Sequence, residues 1–172
     1  MQSISKNNKK GCDCVVNLKP QMIEKVQKCL ETYVCGEAYF NELDAAIKSD
    51  EELLNSFMNR IIEETNCHNF VMSGEIGSVY FKLCSHDDIR LLLLPGGLRH
   101  GKELPNDVER IYKGMEFVFV DDSYYSGKTL NAVKKYMEST GAKIIANYVF
   151  YDGSRENKDN VRSIYRYYDH HE

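Results

Sequence analysis

No stretch of this chain approaches the roughly 18 consecutive apolar residues of a membrane-spanning helix. The longest apolar run, Ile89 to Pro95, is broken by Arg90. The opening residues, MQSISKNNKKGCDC, have no apolar centre of the kind a secretory signal needs. A cytoplasmic protein with no membrane partner is therefore expected. Positive charge is not in excess either. The 22 Lys and Arg against 26 Asp and Glu leave a net charge of -4, which argues against a sequence-independent nucleic-acid binder. The six cysteines include no C-x2-C pair. A zinc site joining Cys12 and Cys14 to Cys67-His68 or His170-His171 therefore lacks its usual spacing, and reduced thiols are expected. No internal repeat or low-complexity tract is present.

What remains is 172 residues, 42% of them apolar, enough for one domain with a real core. Residues 1–17 are polar and rich in Lys and Asn, and are expected to form a disordered tail ahead of a single domain over 18–172. Pro20 opens a helix expected to run to about Val34, with Met22, Val26, Cys29, Leu30 and Tyr33 at helical spacing. Ser49 and Glu52 read as a capping box for a second helix, whose apolar stripe runs from Leu53 to Ile62. Strands are expected at Asn69–Met72, Ile89–Leu94, Met115–Val120, Lys143–Phe150 and Val161–Tyr167. A short helix is expected around Val79–Cys84, and a longer one over Lys128–Thr140 with Gly141 as its stop. The continuous run Ile89–Leu94 predicts a strand covered on both faces. Strands alternating with helices predict an α/β fold, a mostly parallel sheet flanked by helices, with a small N-terminal helical portion.

The chemistry concentrates in FVFVDDSYYSGKT, Phe117 to Thr129. Four apolar residues lead into two adjacent carboxylates, whose mutual repulsion demands solvent or a ligand. In a parallel sheet, ligands bind beyond the carboxyl ends of the strands, which is where Asp121 and Asp122 are expected. Ser126, Gly127 and Thr129 then open a helix whose free N–H groups form an anion cradle. Carboxylates for sugar hydroxyls or hydrated Mg2+, beside a phosphate nest, suit a phosphorylated sugar. A P-loop would need glycine where Asp122 stands, and a carboxylate there would face the phosphates. A plain helix cap would explain Ser126 but not two acids behind a buried strand.

Phe117 to Thr129 resembles the PRPP-binding motif of type I phosphoribosyltransferases. Two further stretches fit that family in order: FVMSGEIGSVYF, with Ser73 to Gly77 as a pyrophosphate turn, and PGGLRHGKELP, placed where the family carries a mobile catalytic loop. The resemblance spans about Asn69 to Asp152. It implies a type I phosphoribosyltransferase-like fold with an N-terminal hood. It also implies transfer of ribose 5-phosphate from PRPP to a nitrogenous base, with release of pyrophosphate and with Mg2+ as cofactor, and a homodimer. On this resemblance Asp121 and Asp122 bind the ribose and water-coordinated Mg2+. Tyr125, Ser126, Gly127, Lys128 and Thr129 hold the 5'-phosphate, and Ser73, Gly74, Glu75, Ile76 and Gly77 hold pyrophosphate. Arg99, His100 and Lys102 are the catalytic cations, while Tyr124 and Arg155 are candidates for the base.

Within the family the nearest likeness is to orotate phosphoribosyltransferases, through GEAYFNE (Gly36 to Glu42) and HGK. The basic residue expected beside the first segment and the Arg-Lys pair opening the loop are absent, so orotate and purine acceptors both stay open. Hypoxanthine-guanine phosphoribosyltransferases share the Gly-Lys-Thr ending but place an acid where Tyr125 stands. Glu75 would set a carboxylate near pyrophosphate. Both departures keep a second reading in view, a non-catalytic module of the same fold that binds PRPP or a nucleotide.

Overall fold

The computed structural model describes residues 15–31, 50–74, 76, 77, 80, 88–98, 104 and 111–169. Five strands form one sheet: β1 (Asn69–Ser73), β2 (Arg90–Leu94), β3 (Glu116–Tyr124), β4 (Lys143–Asp152) and β5 (Val161–Arg166). Their order is β2-β1-β3-β4-β5, and every adjacent pair is parallel. Among the described residues the long helices are α1 (Pro20–Glu31), α2 (Glu51–Thr65) and α3 (Lys128–Ser139), and a 3-10 turn, Tyr167–Asp169, follows β5.

Alternation along the strands sorts the core into two layers, because successive side chains point to opposite faces. Phe70, Met72, Val118, Val120, Tyr148 and Phe150 join Met22 and Val26 of α1 and Leu53, Leu54, Phe57, Met58 and Ile61 of α2. Val71, Phe117, Phe119, Val149 and Val161 face Leu130, Val133 and Met137 of α3. The α/β architecture, a parallel sheet with helices on both faces, is thus present. Among the described residues no helix is long and apolar enough to cross a membrane.

Polar contacts fix α2 on the sheet. The Tyr148 hydroxyl donates to Glu64 Oε2 at 2.7 Å, and Arg162 Nη1 meets the same oxygen at 2.8 Å. Arg60 Nε adds a third contact, to Glu64 Oε1 at 2.9 Å. One α2 carboxylate thus ties the helix to β4 and β5.

Several boundaries differ from expectation. The cap of α2 is Asp50, whose Oδ1 accepts from Leu53 N at 3.0 Å; it replaces the Ser49 capping box. Lys25 also donates to Asp50, and this contact, with the Leu53 bond, holds the carboxyl below its ordinary value. β2 is only partly covered: Leu91 packs against one layer of the core and Leu92 against the other, both half-buried. It lies at the end of the sheet, paired to β1 alone among the described strands, and Leu93 is 41% exposed. Val15 and Val16, at the end of the stretch read as a tail, sit on β5. Val15 bridges Ser163, Val16 N donates to Ser163 O at 2.8 Å, and Val16 is fully buried. α3 ends one residue early, capped by Thr140, and Gly141 turns the chain at φ +82 with its N–H on Glu138 O. The expected helix at Val79–Cys84 falls mostly outside the described residues, although Ile76, Gly77 and Tyr80 are helical. Cys12 and Cys14, the Gly36–Glu42 segment, His170 and His171 also lie outside them.

The ring of Phe57 is fully buried and lies 4.5 Å from Phe150 and 6.3 Å from Tyr148, centroid to centroid. Phe57→Ala removes the wedge between α2 and β4. It is expected to cost about 3–5 kcal/mol of folding stability, read as a lowered midpoint in urea denaturation.

Candidate functional site

Strand order reverses at β1: the chain leaves it for β2 on one side and reaches β3 on the other. Such a switch point opens a crevice at the carboxyl ends of the two strands. A cleft of about 570 Å³ lies there, with Ser73 and Gly74 from the end of β1 on one wall and residues 121–129 on the other.

β3 does not stop at Val120. It continues to Tyr124 because β4 runs beside it as far as Asp152, pairing Asp121 with Val149, Ser123 with Tyr151 and Tyr124 with Asp152. Asp121 and Asp122 therefore belong to the strand. Its pleat directs neighbouring side chains apart, which eases the repulsion their adjacency suggested. Both are half-buried and both border the cleft. Local bonds orient them: Asp121 Oδ1 accepts from Asp122 N at 2.9 Å, and Asp122 Oδ1 accepts from the Ser123 hydroxyl at 3.0 Å.

Gly127 caps α3 in the left-handed region, φ +72, where a side chain would be strained. The first N–H groups of α3 carry the positive end of the helix dipole, and this end borders the cleft. Ser126 and Lys128 are exposed and Thr129 is half-buried. All five residues from Tyr125 to Thr129 line the cleft, beside the carboxylates.

The β1 turn contributes less than its five-residue pattern suggested. Gly74 has φ +74, and a Cβ on Gly96 would lie 3.3 Å from its Cα, so the two turns meet backbone to backbone. Gly74 N donates to Leu94 O at 3.2 Å, and Ser73 Oγ to Pro95 O at 3.5 Å. Ile76 is buried in the core, and a Cβ on Gly77 would stand 2.5 Å from Leu93 Cδ2. That glycine lets the chain pass β2, and neither residue lines the cleft. Glu75, Arg99, His100 and Lys102 lie outside the described residues. Gly96 and Gly97 do line it. Their signal was available, since two glycines directly follow a strand beside the switch point.

The two candidates for the base differ in placement: Tyr124 borders the cleft, whereas Arg155 is exposed outside it. Tyr124 is buried, and its hydroxyl donates to Asp159 Oδ2 at 2.6 Å. Arg155 turns outward onto Tyr168, 5.9 Å from its ring, and is not part of the cleft wall. Tyr125 is the exposed aromatic. Its ring rests on Gly153, where a Cβ would come within 2.3 Å of Cε1, and lies 5.6 Å from Tyr151.

Burial pushes the Tyr124 hydroxyl well above its ordinary pKa, and the hydrogen bond to Asp159 adds to the shift. Tyr148 moves the same way through burial and its bond to Glu64. Below about pH 10 both states keep these tyrosines neutral; above it the unfolded chain ionises first. Stability is therefore expected to fall as pH rises past that point. Tyr124→Phe should flatten the fall, as measured by thermal midpoints from pH 8 to 11.

Comparison with known proteins gives one family. Among curated proteins no sequence matches significantly. A solved phosphoribosyltransferase from Corynebacterium diphtheriae aligns with TM-score 0.49 and 13% identity, covering 76% of this chain and 82% of that one. Residues 88–171, from just before β2 to the 3-10 turn and beyond, match the family model described as phosphoribosyl transferase domain. That segment contains β3, its two aspartates and the whole turn into α3, so the similarity to the phosphoribosyl transferase domain falls on the residues that build this wall of the cleft.

Proposed function

We propose that this protein binds PRPP with Mg2+ and transfers its ribose 5-phosphate to a nitrogenous base, releasing pyrophosphate. The observation that carries the reading is the joining of two half-buried carboxylates and a glycine-capped helix N-terminus on one cleft wall. A sugar phosphate needs both. The carboxylates accept from ribose hydroxyls, and the N–H groups, Lys128 and the hydroxyls of Ser126 and Thr129 donate to the 5'-phosphate. Ser73 and Gly74 face them across the cleft, where a left-handed glycine with no side chain leaves room for pyrophosphate close to the backbone.

The carboxylate pair also fits Mg2+. Among the described residues no group of three or more His, Cys, Asp or Glu is gathered to hold a metal. Two carboxylates suit an ion that keeps its waters and takes its other ligands from the substrate. Bound there, Mg2+ would neutralise charge on the departing pyrophosphate. Cleavage at carbon 1 builds positive charge on the ribose ring, and the fixed carboxylates of Asp121 and Asp122 oppose it. Arg99, His100 and Lys102 are assigned to pyrophosphate as it leaves. The acceptor is a planar base, orotate-like or purine.

The environment of Tyr125 favours a second reading. An aromatic ring leaning on Gly153 stands where some relatives use an acid, so proton transfer to the base has no donor or acceptor there in that form. A PRPP or nucleotide sensor would not need one. Pyrophosphate release in the presence of PRPP, Mg2+ and orotate or purine bases separates the two.

Calorimetric titration tests the shared premise. Wild type is expected to bind PRPP only with Mg2+, and Asp121→Asn/Asp122→Asn to weaken binding at least about 100-fold, some 2.7 kcal/mol. A folded wild type that takes up no PRPP would overturn both readings.

A further inference from the structure

Asp159 is a carboxylate set against the turn that cradles the 5'-phosphate in the reading above. A Cβ on Gly127 would stand 2.8 Å from its Oδ2, so the acid lies directly beside the backbone of that turn. A bare negative charge there would oppose an incoming phosphate. The two oxygens are separately engaged. Oδ2 accepts from the Tyr124 hydroxyl at 2.6 Å, and Oδ1 accepts from Lys134 Nζ at 3.1 Å. Burial would raise the carboxyl pKa, but the bonds from Tyr124 and Lys134 outweigh it and keep the group ionised.

The acid is also held from behind. Its backbone carbonyl accepts from Asn147 Nδ2 at 2.9 Å. Asn157 closes the same loop onto Val161, donating to its carbonyl at 2.6 Å and accepting from its N–H at 2.7 Å. Tyr124 is tied twice to this loop, since Gly153 N donates to its carbonyl at 2.9 Å. The β4–β5 loop and the phosphate turn are therefore joined by both side-chain and backbone bonds.

We propose that Asp159 and Lys134 are positioning residues of the phosphate cradle: Asp159 clamps Tyr124 and the turn, and Lys134 cancels the charge that clamp places beside the phosphate. The proposal rests on the PRPP reading for the identity of the ligand. Lys134 lies in the second turn of α3, too far along for a helix-capping role, and its pairing with Asp159 gives it a reason to be basic. The pair is partly exposed, with side chains 31% and 21% accessible, so solvent moderates the effect.

The test is titration of ribose 5-phosphate, and separately of PRPP with Mg2+, into wild type, Lys134→Gln, Lys134→Arg, Asp159→Asn and the Lys134→Gln/Asp159→Asn double variant. Lys134→Gln should bind both ligands about three- to tenfold more weakly, because it leaves the carboxylate unpaired. Lys134→Arg should stay near wild type, and the double variant should recover most of the loss. A purely structural role predicts instead that the double variant binds no better than Lys134→Gln, with losses following the thermal midpoint; that result overturns the proposal. Wild-type affinity in Lys134→Gln overturns it as well. Binding of ribose 5-phosphate with the expected pattern but no binding of PRPP would defeat the transferase reading and keep this one. Failure of both ligands to bind folded wild type would remove both.

Discussion

The site depends on the pairing of β3 with β4, which extends beyond the apolar core to Tyr124 and Asp152. A strand that ended at Val120 would leave the two aspartates on a loose loop, paying ordering entropy whenever a ligand bound. Because β4 supplies partners as far as Asp152, the carboxylates are built into a hydrogen-bonded ladder. Asp152 is itself fully buried and satisfied, accepting from Ser154 N at 2.8 Å and from Arg166 Nε at 3.1 Å. A buried carboxylate without such donors would be costly. The ladder that carries the binding wall thus ends on an ion pair between β4 and β5.

The two layers of core make that wall possible. Phe117 and Phe119 face α3 while Val118 and Val120 face α2, so β3 is gripped from both sides. The same apolar contacts that seat α3 against the sheet also aim its N-terminus at the cleft. Fold and chemistry here share their residues: Leu130 and Val133 are core, and the turn just before them presents the cradle.

Much of this was readable in the chain itself. The apolar quartet, the acid pair and the glycine before Lys128 are local signals, and each reports a local requirement: burial, charge and a left-handed φ. The five parallel strands followed from alternation of types. What escaped was set by partners distant in sequence. Nothing local to VDDSY says that β4 will extend its ladder to Tyr124. Asp159 lies in a polar loop without periodicity, and its hydroxyl partner is 35 residues away. Gly77 looked like a phosphate glycine, yet Leu93 of β2 is what requires it. β2 itself has the composition of an interior strand, and only the order of the sheet places it at an end.

The contact of Val16 with Ser163 bears on how the molecule is made. These residues are far apart in sequence, so their bond forms only after β5 has emerged from synthesis. Until then the fully buried Val16 has no β5 to lie against. The sheet is also entirely parallel, and each pairing waits for a crossover to close. Folding should therefore be slow and late-locking, with the β4–β5 edge the last region sealed. An incomplete chain would offer that edge, open and apolar, to the surfaces around it.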